Sequence, residues 1–224
     1  MRIPGLTRLR RLLKPTPPAG PPPELTDQLR REIRQSFDEA SANEDDFPST
    51  IDPRIQHVQV LLRYFAPLTG KRLLDVGSGK GRYARVILEQ NPQARITALD
   101  ISEQMLRCVQ PGINKISGIM TEIPFANESF DCVYATESLE HAVDAGQAIA
   151  EMCRVLRPGG KLAIIDKNAE KWGRLKTNSW ERWFDRREIE NLLARHCRTV
   201  RSEPISYWED VTPDGLFLVW FAEK

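Results

Sequence analysis

Leu73-Leu74-Asp75-Val76-Gly77-Ser78-Gly79-Lys80-Gly81 is an apolar, β-prone run that passes directly into three alternating glycines, with a helical pattern beginning at Tyr83. Glycines at such a junction let backbone approach a ligand closely. They also leave the N–H groups of the following helix facing the crevice at the carboxyl edge of a sheet. Outward from this stretch, apolar runs at about 71–76, 94–99, 113–118, 130–135 and 160–166 alternate with helical patterns at about 81–90, 102–110 and 144–157. That alternation predicts βαβ units and an α/β, doubly wound, mostly parallel sheet. Arg157-Pro158-Gly159-Gly160 is expected to stop the third of those helices, because proline cannot continue it and glycine tolerates a tight turn. A helix at about 185–196 and strands at about 198–207 and 215–222 complete the pattern, the last with an unbroken apolar run from Leu216 to Ala222 that suits burial on both faces.

Two nucleotide-binding motifs compete for the glycine loop, and neither fits. The dinucleotide fingerprint needs G-x-G-x-x-G, whereas Arg82 and Tyr83 follow G-x-G-x-G here. A phosphate-binding loop needs Ser or Thr after Gly-Lys, but Lys80 is followed by Gly81. A second element, Ala98-Leu99-Asp100-Ile101-Ser102, puts a carboxylate at the end of the next strand, where open α/β sheets bind ribose hydroxyls. Alone, Asp100 before Ser102 would equally serve a helix cap; beside the glycine loop, it points to a cofactor.

Upstream, Leu25, Leu29, Ile33 and Phe37 recur every four residues and predict a helix from Leu25 to about Ala40. A second helix is expected from Pro53, with Ile55, Val58, Leu61, Leu62 and Phe65 on one face. The acidic loop between them, Glu44-Asp45-Asp46-Phe47-Pro48, reads as solvated surface. The first 23 residues hold five basic residues, seven prolines and no acid, so residues 1–24 read as a basic, Pro-rich flexible tail. Contact of that tail with a membrane surface is at most peripheral. Residues 25–70 are expected to form an N-terminal helical lid segment, and 71–224 the core.

Lys plus Arg total 32 against 31 Asp plus Glu, so no global field selects a polyanion. Without the first 23 residues the body has 27 basic and 31 acidic residues, a net −4 that argues against a nucleic-acid partner. Cys108, Cys132, Cys153 and Cys197 are scattered without metal or redox spacing, as in a cytoplasmic protein with reduced thiols. No apolar run reaches the roughly 20 residues of a membrane span, and the Arg-interrupted start lacks a secretory apolar core.

The sequence is similar to the class I S-adenosylmethionine-dependent methyltransferases, in the small-molecule branch that includes quinone-pathway C-methyltransferases. The similarity covers about Lys71 to Lys167. It rests on the glycine loop, Asp100, Ile123-Pro124-Phe125 with Ser129-Phe130-Asp131, Glu137-Ser138-Leu139-Glu140-His141, and Arg154-Val155-Leu156-Arg157-Pro158-Gly159-Gly160. It implies a seven-stranded, Rossmann-like sheet with an antiparallel last strand and S-adenosylmethionine across the carboxyl ends of the first strands. Asp75, Gly77, Ser78, Gly79 and Gly81 would surround the methionine moiety and ribose, Asp100 would bind the ribose hydroxyls, and Ile101 would lie against the adenine. Met120 would offer backbone to that ring, and Thr136 and Glu137 would border the methionine part and the reaction site. The sequence departs from the family at Ile119, where an acidic residue usually accepts from the adenine amino group; the lost bond costs about 0.5–1.5 kcal/mol of affinity.

Methyl transfer from a sulfonium needs alignment and water exclusion, without metal or covalent enzyme intermediate. His141 is the best-placed candidate base, with Glu137 beside it; a purely structural role for His141 is the alternative. His57 and His196 read as structural. All five tryptophans lie in the last 53 residues, so the cover at about 168–184 offers Trp180, Trp183, Asp166 and Asn168 as acceptor contacts, against core packing as the other use of Trp. Phe37 and Phe47 are expected in a closing lid. The acceptor is expected to be a small molecule, with tRNA modification or a catalytically silent cofactor-binding subunit as alternatives; oligomeric state is left open.

Overall fold

The computed structural model describes residues 23–175, 177–208 and 210–224, so the expected tail falls almost wholly outside the described residues. Helices α1 (Asp27–Ala40) and α2 (Gln56–Phe65) precede the sheet. The chain then alternates through β1 (Arg72–Val76), α3 (Arg82–Gln90), β2 (Arg95–Asp100), α4 (Glu103–Cys108), β3 (Asn114–Ser117), β4 (Phe130–Thr136), α5 (Ala145–Val155) and β5 (Leu156–Lys167). It ends with α6 (Arg186–Ala194), β6 (Thr199–Ile205) and β7 (Phe217–Glu223). The seven strands lie in the order β3-β2-β1-β4-β5-β7-β6. Strands β1 to β5 pair in parallel, and β7 runs antiparallel to both β5 and β6. Strand order reverses between β1 and β4, which opens a crevice at their carboxyl ends.

Period-two alternation divides the sheet's side chains between two apolar layers. Leu73, Tyr134, Ile165 and Val219 pack with α2 and α3, including Leu61, Phe65, Tyr83 and Ile87. Leu74, Val133, Ile164, Leu218 and Trp220 pack on the other face with Ile149 and Met152 of α5 and Ile189 and Leu193 of α6. β7 is buried from Phe217 to Ala222, as its unbroken apolar run requires.

Two boundaries differ from expectation. The second helix starts at Gln56, not Pro53, because Asp52 accepts from the backbone N–H and guanidinium of Arg54 and closes a turn ahead of it. Arg157-Pro158-Gly159-Gly160 lies inside β5 rather than ending α5 in a separate loop: Leu156 already pairs with Phe130, and pairing resumes at Cys132–Lys161 after a register shift. Gly159 takes φ 69° there, a conformation glycine adopts without strain. The tertiary fold also joins two cysteines that sequence separates, with the Cys153 and Cys197 sulfurs 3.8 Å apart as free thiols.

The segment from Gly118 to Phe130, which carries Ile119 and Met120, is fastened by Arg154. Its guanidinium donates to the Ile123 carbonyl (2.8 Å), the Phe125 carbonyl (2.7 Å) and Glu151, while Glu151 accepts from the Ile123 N–H (2.8 Å). Arg154→Ala strands these carbonyls and is expected to cost about 1–3 kcal/mol in urea unfolding.

Candidate functional site

The start of the glycine loop is held by backbone hydrogen bonds. Gly77 and Ser78 donate to the Leu99 carbonyl (2.8 and 3.0 Å), while Gly77, Gly79 and Gly81 take φ of 70°, 53° and 73°. At Gly77 the requirement is steric as well: a Cβ there would sit 2.5 Å from the Ser138 Cβ. Ser138 in turn donates to the Val76 carbonyl (2.8 Å), which closes the β1 and β4 ends against each other.

Asp100 ends β2 beneath this loop, buried, accepting from Gly79 N–H (2.7 Å) and Ser102 N–H (2.9 Å). Burial raises its carboxyl to about 6 although both N–H groups favour the charged form. Asp75 is also buried, and desolvation lifts it to about 8. One Asp75 oxygen, the Ser78 hydroxyl and the Thr136 hydroxyl are buried without hydrogen-bond partners. All three residues line a cavity of about 480 Å³ together with Gly77, Gly79, Asp100, Ile101, Ile119 and Met120. The structure thus brings the expected cofactor residues to one crevice, apart from Gly81, which caps α3 and is absent from the cavity wall. The orphaned polar atoms suit a ligand with hydroxyl and ammonium groups.

Glu137, expected beside His141 at the reaction site, lines the same cavity with its carboxylate engaged by other side chains. Glu137 occupies φ 52°, an uncommon conformation for a non-glycine residue. Its Oε1 accepts from the Tyr83 hydroxyl (2.7 Å) and the Arg82 guanidinium (3.1 Å), and His57 Nδ1 stands 3.6 Å away. Burial alone would raise the carboxyl, but His57 and Arg82 hold it well below the usual carboxylate range. A carboxylate so stabilised is a fixed charge that anchors the end of β4. His57, read from sequence as structural, belongs to this anchor.

His141 lines the cavity with its ring edge-on to Phe37, centroids 5.0 Å apart. Burial lowers its imidazole to about 4, so it is neutral at ordinary pH. Its Nε2 lies 3.5 Å from Glu140 Oε1 and its Nδ1 has no partner.

The structure places the four residues expected as acceptor contacts in the C-terminal cover away from the cavity wall. None of Trp180, Trp183, Asp166 and Asn168 lines the cavity. Trp183 is buried against Trp172 and donates to Glu181 (2.8 Å); Asp166 is buried and accepts from the Glu140 N–H (3.0 Å). Asn168 caps a single turn and donates to the Gly215 carbonyl (3.0 Å). The same segment reaches the cavity through Thr177, Asn178 and Glu181 instead, alongside Lys167 of β5.

Sequence reasoning also missed what fastens the N-terminal segment. Asp38 of α1 accepts from the Ser102 hydroxyl (2.6 Å), and Glu44 pairs with the buried Lys80 of the glycine loop. Asp46, Phe47 and Pro48, expected as solvated surface, line the cavity with Phe37. The signal was a lysine flanked by loop glycines, which in the fold requires a carboxylate from elsewhere.

With this geometry in view, residues 74–164 match the family described as "Methyltransferase domain". That stretch, residues 74–164, is similar to a methyltransferase domain. The chain is 36% identical over 99 residues to a malonyl-[acyl-carrier protein] O-methyltransferase from Methylococcus capsulatus, covering 42% of this chain and 36% of that protein. It is 30% identical over 154 residues to a demethylmenaquinone methyltransferase from Listeria welshimeri, covering 63% and 65%. The match therefore spans only about a third to two thirds of these relatives. A solved S-adenosylmethionine-dependent methyltransferase from Thermotoga maritima, titled a possible histamine N-methyltransferase, superposes with a TM-score of 0.65 at 19% identity, covering 86% of this chain and 99% of that one; it speaks for the fold alone.

Gly77→Ala is expected to abolish measurable S-adenosylmethionine binding in titration calorimetry and to lower stability by about 1–3 kcal/mol, since the new methyl meets Ser138 and the left-handed φ is strained. Affinity for S-adenosylmethionine is expected to weaken as pH falls through about 6, where Asp100 loses the charge that would receive ribose hydroxyls. The check is a calorimetric series from pH 7 to 5, below the range in which Asp75 titrates, with Asp100→Asn already weak and flat across it.

Proposed function

We propose that the protein transfers a methyl group from S-adenosylmethionine to a small-molecule acceptor. The observation that carries this reading is the single cavity wall shared by the glycine loop, Asp100 and His141 beneath a fastened N-terminal segment. Asp100 is suited to the ribose hydroxyls; Asp75, Ser78 and Thr136 to the methionine end; Ile101, Ile119 and Met120 to an apolar cleft for adenine. Ile119 supplies no acceptor for the adenine amino group. When bound, the cofactor supplies an electrophilic methyl on a sulfonium.

The chain's own contribution is enclosure and orientation. Phe37 and Phe47, edge to face with centroids 6.0 Å apart, place apolar surface over the cavity and exclude water from a charged donor. Glu137 holds the β4 end rigid through Arg82 and Tyr83, so the backbone leading to His141 keeps its position. His141, with Nδ1 free and Nε2 beside Glu140, can accept a hydrogen bond and then the proton of an acceptor hydroxyl. With a pKa of about 4 it is a weak base, so it acts late, as the acceptor oxygen gains positive character.

The test is S-adenosylhomocysteine release followed by mass spectrometry across a panel of small acceptors, with Asp100→Ala as the negative control. On a productive acceptor, His141→Ala is expected to lower kcat about 10- to 100-fold with little change in S-adenosylmethionine affinity. Because protonation of His141 silences it, its acid limb should appear near pH 4 rather than 6.5. A limb at 6.5 that vanishes in His141→Ala would contradict the burial argument.

A further inference from the structure

Beside His141 the cavity is walled by Glu140, Lys167, Thr177, Asn178 and Glu181. Lys167 pairs with Glu140 and lies 3.6 Å from Glu181. Glu140 and Glu181 are only 2% and 4% exposed, and the buried Asp166 stands directly behind, accepting from both Glu140 N–H and Lys167 N–H. Three carboxyl groups therefore surround one ammonium. Glu181 spends its oxygens on Trp183 Nε1 (2.8 Å) and Asn178 N–H (3.1 Å), whereas Glu140 Oε2 and His141 Nδ1 have no partner.

The remaining cations on the cavity wall do not offset this. Lys80 is paired with Glu44 and Arg82 with Glu137. Arg30 of α1 has no carboxylate partner among the described residues, but it lies two helical turns from Phe37, about 10 Å along the axis. The His141 end of the cavity thus presents hydrogen-bond acceptors in an acid-rich, dry setting, next to the apolar faces of Phe37 and Phe47.

We propose that this end of the cavity selects an uncharged ring bearing at least two hydroxyl groups and excludes carboxylates and phosphates. This inference rests on the methyltransferase reading and specifies its acceptor. Hydroxyls satisfy the unpartnered atoms of Glu140 and His141, and a ring lays an apolar face on Phe37. An anion would enter beside Glu140 and Glu181 with its only nearby cation already shared between them. In the transfer, a hydroxyl oxygen forms the new C–O bond as the methyl–sulfur bond breaks onto sulfur, and the hydroxyl proton passes to His141 Nδ1.

The test uses full-length protein saturated with S-adenosylhomocysteine and titrates catechol, methyl β-glucoside and benzoate. At least one hydroxylated ring should bind tenfold or more tighter than benzoate; which of the two does so separates an aromatic diol from a sugar as the source. In Glu181→Gln, verified as folded by thermal melting, that gap should shrink at least threefold; in Arg30→Ala it should stay or widen. Benzoate binding as tightly as both rings, or neither ring binding, would overturn the proposal. Failure of S-adenosylhomocysteine itself to bind would instead sink the methyltransferase reading, so the two failures are separable.

Discussion

The close approach of β1 and β4 at Gly77 and Ser138 is the constraint on which the site depends. With no side chain on Gly77, the two strand ends meet, Ser138 bonds the Val76 carbonyl, and the loop's N–H groups are free to bond Leu99 and Asp100. Asp100, through Gly79, and Glu137 and His141, through Ser138, take their positions from that contact. A parallel sheet supplies the crevice by strand order, but this junction sets its width.

A second principle is that three cations of the cavity wall are paired with carboxylates of the chain itself. Arg82 with Glu137, Lys80 with Glu44, and Lys167 with Glu140 are each contacts between different segments of the chain. Such pairs contribute little net stability once desolvation is counted, but they fix which segments lie together. Two of the three tie the reaction end to the β4 and β5 edges. The third, with the Asp38–Ser102 bond, ties the N-terminal segment to the glycine loop and the start of α4. His141 then stands in a neutral, dry position, while Asp75 and Asp100 carry raised carboxyls because burial outweighs their hydrogen bonds.

The sheet was legible because its signals are local. Period-two apolar runs, Gly77-Ser78-Gly79 and the strand-end Asp100 each encode their own structure, and the strands fall within a few residues of expectation. The cofactor side of the cavity was legible for the same reason, as most of its residues sit at strand ends. The acceptor side was not, because it depends on side-chain direction in irregular segments. Trp180 and Trp183 mark the right segment, but Trp183 turns into the core and bonds Glu181, leaving Glu181, Asn178 and Thr177 on the wall. The partners of Glu137 were not legible because all three, His57, Arg82 and Tyr83, come from two other helices. The Glu44–Lys80 pair spans 36 positions and has no periodicity to announce it.

No helix among the described residues is long and apolar enough to cross a membrane, and the crevice faces an N-terminal segment rather than open surface. The central claim is that one ligand, S-adenosylmethionine, is held between the glycine loop and this segment. Amide hydrogen exchange with and without S-adenosylmethionine tests it most directly. The account predicts slowed exchange at residues 77–82, 100–102 and 137–141, and at 27–48 in the same titration, with the far edge of the sheet at β6 unchanged. Unaltered exchange at the glycine loop, or protection confined to the β6 edge, would contradict it.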